Sequence, residues 1–401
     1  MCPRRKERRT ESISKERQTI KRKQTSKKRN NMTSILSNDN NNTTTENTSN
    51  NPFAALLSSL NNSIQIVNEA KNNNVGYEVD NNNNDEYKLV RSIVLSVADT
   101  MENTSTKFSV SMDCGMTNEM IMSLCNSTAK PAEQLTTSCV VAARCNCSKT
   151  LRKDIYDKIT TALNAMLLLV NTASNGENDK LPMVTGQVWE ACKALRKLPA
   201  SNKACIKRVV LINYKNINDV CKEVKEIIQE HEENNNQGGG NDENNMAMLG
   251  GNEFEDDDFF YNTTMSTLEY QRCKSCIPIF KLIVDTYKST VKTLNNLKCN
   301  NNQNPSLDNI AINGTKMFDM TNELAVVLYP PQVLTNMRLA MNELITVCTS
   351  YLENLIALMN LDLDNAENLE PNKRRVEELL EVSRTVVNRL LNESEEFKEG
   401  Q

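Results

Sequence analysis

A chain of 401 residues is two to three times the ~150 residues of an ordinary domain, yet 38% hydrophobic, 4% aromatic and 24% charged residues leave too little apolar material for all of it to enter a core. Eleven Gly and ten Pro are too few for the turns of sandwiches, barrels or wound sheets, so an all-α protein is expected. The single His, His231, excludes His-based triads and two-His metal sites, while the formal charge of -4 conceals a net +10 over residues 1–30, from 13 Lys or Arg against three Glu.

Carboxylate and thiol chemistry are not excluded by these counts. Thirteen Cys is an odd number in a long chain whose start, Met1 to Lys6, has no apolar stretch of a signal peptide, so reduced thiols in an intracellular protein are expected. The longest apolar run, Ala165 to Val170, is far below the ~20 residues of a membrane span.

Residues 1–52 read as a disordered basic and Asn-rich tail. Its second cluster, Lys21, Arg22, Lys23, Lys27, Lys28 and Arg29, resembles a nuclear-import signal; a weak electrostatic contact with nucleic acid and a solvated tail without a reader are the other readings. No aromatic residue interleaves these charges, so bases have nothing to stack on and specific nucleic-acid binding is not expected.

From Phe53 the apolar residues recur at steps of three and four. Phe53, Leu56, Leu57, Leu60, Ile64 and Val67 predict a first helix, and further helices follow at about 85–112, from 117 through Pro131, at 151–173 and at 184–198. Ser201 is a candidate N-cap for a helix to about His231, whose imidazolium would complement the helix C-terminus. Residues 232–262 hold nine acidic residues with no Lys or Arg and the run Gly238 to Gly240, the composition of a disordered insertion. Helical periodicity returns at 264–297, 306–328, from Pro330 or Pro331 to 361, and at 372–397. The stripes are wide enough for each helix to pack on two neighbours, which predicts two antiparallel up-and-down bundles, 53–198 and 199–398.

Little of this carries chemistry. Cys273 and Cys276 form a CxxC and Cys145 and Cys147 a CxC, but an i, i+3 pair on a helix reads first as small buried residues; no cofactor or metal is expected. At the end of the insertion, Phe254, Phe259, Phe260 and Tyr261 surround an acidic block. Such a segment anchors into a partner's groove or folds back over the second bundle, and both readings stand.

Three motifs carry a resemblance. Thr150-Leu151-Arg152-Lys153, then Val188-Trp189-Glu190-Ala191-Cys192 leading through Leu198-Pro199 into Asn202-Lys203-Ala204, then Glu323-Leu324-Ala325 to Tyr329-Pro330-Pro331 resemble, in this order, elements of the cyclin-D1-binding protein family. The resemblance implies two helical bundles similar in style to vinculin and talin modules, no catalysis, and binding of a D-type cyclin or a helix-loop-helix transcription factor that restrains cell-cycle progression; nucleus and cytoplasm are the expected locations, the nuclear one resting on the basic cluster and not on the resemblance. A vinculin-like cytoskeletal or adhesion scaffold is the alternative. From the residues alone, Trp189 is expected to wedge between the bundles, and Tyr329-Pro330-Pro331 to end one helix and start the next. No leucine heptad is sustained, so a zipper dimer is not expected.

If the basic cluster is an import signal, a fluorescent fusion with Lys21, Arg22, Lys23, Lys27, Lys28 and Arg29 changed to Ala shifts toward the cytoplasm. An unchanged distribution on microscopy removes the assignment.

Overall fold

A computed structural model describes residues 51–72, 84–112, 114–145, 147–237, 265–298, 303–362 and 365–396. These form ten α-helices with one 3-10 turn and no strand among the described residues: α1 Ala54–Asn72, α2 Asn84–Met112, α3 Asn118–Arg144, α4 Lys149–Ser174, α5 Leu181–Arg196, α6 Asn202–Gln237, α7 Thr267–Asn296, α8 Asn304–Val327, α9 Leu334–Asn360 and α10 Ala366–Glu396. The expected all-α architecture is the one observed. The basic cluster of residues 21–29 lies outside the described residues.

Local chemistry sets the helix ends. Thr117 and Ser148 cap α3 and α4 by accepting from the backbone N–H groups of Met120 and Leu151, and Ser266 and Glu269 satisfy each other's backbone donors at the start of α7. After α4, Gly176 turns the chain at φ 72°, the left-handed region that glycine enters without steric cost. Pro182 sits in the first turn of α5 and Pro305 in that of α8, where no helical donor is lost. Pro131 and Pro278 lie inside α3 and α7, which run on through them.

The buried apolar residues fall into two clusters, one running from Phe53 to Cys205 and the other from Ile206 to Leu380. Around the first, α1 packs on α3 and α4, α2 on α3 and α5, and α4 on α5, which closes a ring of five. Around the second, α6 packs on α7 and α8, α8 on α9, α9 on α10, and α10 on α7. The ring order departs from strict succession. Consecutive α1 and α2 are not ring neighbours, because the connection 73–83 is long enough to pass a helix, and the same holds for α7 and α8 across 297–303.

Three boundaries differ from expectation. Helix α6 continues to Gln237, so the first residues of the acidic insertion are helical and His231 lies inside α6, not at its end. The cause is a contact with α7: His231 stacks on Tyr270 at 4.8 Å between ring centroids, while Glu232 accepts from the Tyr270 hydroxyl and pairs with Lys274 at 3.4 Å. Tyr329-Pro330-Pro331 ends α8, but α9 begins only at Leu334, and the prolines with Gln332 form a separate link containing a cis Pro330–Pro331 bond. Helix α10 begins at Ala366, ahead of Pro371.

Two glycines report on these backbones with opposite signs. At Gly186, inside α5, an added Cβ meets nothing within 4 Å, so Gly186→Ala should stabilise by about 0.5–1 kcal/mol through the lost freedom of the unfolded chain. Gly176→Ala forces a side chain into positive φ and should destabilise by about 1 kcal/mol. Urea midpoints of the two variants should move in opposite directions.

Candidate functional site

The most elaborate polar constellation lies where the two bundles meet. Helix α4 belongs to the first bundle, and its N-terminal amides need acceptors. Ser148 supplies one from within, at 3.1 Å from Leu151 N. The others come from the second bundle: Asp308, one turn into α8, accepts from Lys149 N at 2.7 Å, from Thr150 N at 2.9 Å and from the Thr150 hydroxyl at 2.6 Å. Asn202, the first residue of α6, accepts from Ser148 N at 2.8 Å and donates to Asn304 Oδ1 at 2.8 Å. One node thus ties the starts of α4, α6 and α8 together.

Asp308 is 6% exposed and has no cation in the ion pairs of the described residues. Amide donors and the positive ends of the surrounding helices hold its charge instead, the arrangement by which helix N-termini bind anions. Around the node, Lys203 Nζ donates to Leu297 O at 2.8 Å, and Arg208 donates to Lys197 O at 3.0 Å and to Asp154 at 2.6 Å. On the first-bundle side Arg91 Nε donates to Leu198 O at 3.0 Å and the Tyr87 hydroxyl to Pro199 O at 2.5 Å.

Two of the sequence motifs therefore converge. Thr150 and Asn202 meet at the node, with Leu151 fully buried beneath it, while Arg152 carries the next helical turn, Lys153 faces solvent and Lys203 closes on the end of α7. Trp189 does not join them. It lies 43% exposed on α5, donating from Nε1 to Thr106 Oγ1 of α2 at 3.2 Å, so it bridges two helices of the first bundle and does not wedge between the bundles. Cys192, one turn on, is buried in the first core.

The third motif stands elsewhere, at the end of the second bundle where the insertion leaves and returns. Tyr329 is 40% exposed and donates to Glu223 of α6; burial, the Glu223 hydrogen bond and the negative charges of Glu223 and Glu230 push its hydroxyl pKa up to about 12. Pro330 and Pro331 lead to Gln332, whose amides bind Glu269 and Leu328. Phe254, Phe259, Phe260 and Tyr261 lie outside the described residues.

Asp308 was not legible as a site residue. In sequence it is an ordinary acidic residue in the first turns of a helix, and only the fold shows that the N-terminus it serves belongs to a different helix. The paired cysteines separate: Cys145 and Cys147 belong to the first core, Cys273 and Cys276 to the second. No group of three or more His, Cys, Asp or Glu among the described residues is placed to hold a metal. No described helix is long and apolar enough to cross a membrane.

Residues 93–230 match the family model described as Grap2 and cyclin-D-interacting, N-terminal. The match runs from α2 into α6 and takes in the first two motifs and the Asn202 side of the node. A search of curated proteins returns no match.

Burial raises the thiol pKa of Cys192, Cys205, Cys276 and Cys348 to about 12, and of Cys125 and Cys221 to about 11. A raised folded-state pKa means that the folded chain keeps protons which the unfolded chain releases. The stabilisation is complete below the ordinary thiol pKa of ~8.5 and is lost as the pH rises from there through about 12. Denaturant midpoints should therefore fall steadily above pH 9. A flat profile to pH 11 would contradict the burial of these thiols.

Proposed function

We propose that this chain, a member of the Grap2 and cyclin-D-interacting family through residues 93–230, is a non-enzymatic regulatory binding protein that restrains cell-cycle progression by holding a D-type cyclin or a helix-loop-helix transcription factor, in nucleus and cytoplasm. The family match is the observation that carries the reading. Physical support comes from the nature of the surface. Half-exposed apolar residues such as Trp189 on α5, Leu211 and Ile212 on α6 and Tyr329 after α8 offer contact area on bundle faces of the kind that receives a partner helix. The buried thiols with raised pKa values are poor nucleophiles at neutral pH, which is consistent with binding rather than catalysis.

Within this reading the acidic aromatic segment is an anchor for the partner. A segment with nine acidic residues makes a costly lid for a body that is itself acidic, about -5 outside residues 1–30 and 232–262. Capture from a lysate with mass spectrometry names the partner: cyclins or transcription factors support the reading, whereas actin-linked proteins favour the vinculin-like scaffold. A binding isotherm against the captured partner then tests the anchor. Replacing Phe254, Phe259, Phe260 and Tyr261 together by Ala should weaken binding by more than ~2 kcal/mol. Tighter binding would show a lid, and equal affinity a spacer.

A further inference from the structure

The seam combines three features. First, the apolar clusters are separate, and among the described residues only Cys205 reaches from α6 into the first core. The second feature is that what joins the bundles is polar: Asp308 of α8 accepting from the first amides of α4, Asn202 between Ser148 and Asn304, and Arg208 paired with Asp154. The third is the covalent link. The carbonyls of Leu198 and Pro199 are held by Arg91 and Tyr87 of α2, and Ser201 already caps α6, accepting from Ala204 N on its hydroxyl and from Cys205 N on its carbonyl, so exposed Ala200 alone lies between the two attachments.

Small polar interfaces between bodies with their own cores permit relative motion, whereas large apolar ones do not. We infer that the chain opens at this seam: the two bundles swing as preformed bodies about Ala200, and the Asp308 node is the latch that holds them closed. Opening breaks the hydrogen bonds of Lys149, Thr150 and Ser148 and those of Arg208 to Asp154 and the Lys197 carbonyl, and withdraws a single small side chain, Cys205, from the first core. Neither bundle loses its own packing. The device is a property of the fold and stands whatever partner is bound.

Cys205 makes the motion measurable, because it is fully buried when the seam is closed, and Cys348, fully buried in the second core, reports unfolding of that bundle. The test uses the full chain, a maleimide at neutral pH, and peptide mass spectrometry to time modification of each thiol, with amide exchange at Lys149 and Thr150 followed in parallel. Asp308→Ala should accelerate both the labelling of Cys205 and the exchange of the two amides at least tenfold while Cys348 stays at its wild-type rate. Asp308→Asn keeps an acceptor and should fall between. Labelling of Cys205 and Cys348 that accelerates in step would mean that the bundles unfold together and would overturn the inference. Faster amide exchange with Cys205 still protected would also overturn it, since Asp308 would then be a helix cap and no latch. Should Asp308→Ala fail to fold, Asp308→Asn with Arg208→Ala is judged by the same two rates.

Discussion

A carboxylate that caps a helix in the other bundle is the contact on which the arrangement of this protein turns. Helix α4 borders α1 and α5 on one side and α6 and α8 on the other, so its position relates the two halves. Its first amides cannot be satisfied by α4 itself. Ser148 meets one of these needs, and Asp308 and Asn202 meet the next ones from the second bundle. Each such bond to a charged acceptor is worth about 1.5–3 kcal/mol where water is excluded, and each fixes a direction as well as a distance.

Direction is what the apolar cores do not supply. Two clusters of Leu, Ile, Val, Met and aromatic side chains hold two rings of helices together, but hydrophobic burial is indifferent to angle, and no large apolar side chain is shared between the clusters. The relative placement of the bundles is therefore left to donors and acceptors. This also accounts for Trp189, whose large ring caps the α2–α5 contact within one bundle.

The helices themselves were legible, because a stripe such as Val376, Leu379 and Leu380 in α10 states its period in local sequence. So was the continuity of α3 through Pro131, where the apolar spacing does not break register. Legibility failed where the deciding partner is remote. Glu232 prolongs α6 only because Tyr270 and Lys274 of α7 wait beside it, and the prolines after Tyr329 leave a link between helices because Gln332 is bound by Glu269. The node failed for the same reason: Thr150 and Asp308 are 158 positions apart, and neither carries a mark of the other.

The contact of His231, Glu232, Tyr270 and Lys274 has a bearing on how the protein can vary. It binds the outgoing end of α6 to the incoming end of α7, so the two attachment points of the acidic insertion are fixed by the bundle rather than by the insertion. Closing a chain segment between fixed points costs only about 0.6 kcal/mol more for each doubling of its length. The chain between Gln237 and Met265 can therefore lengthen or shorten by many residues while the ten helices of the described residues keep nearly the same stability, so this is the place in the fold where added or lost sequence costs least.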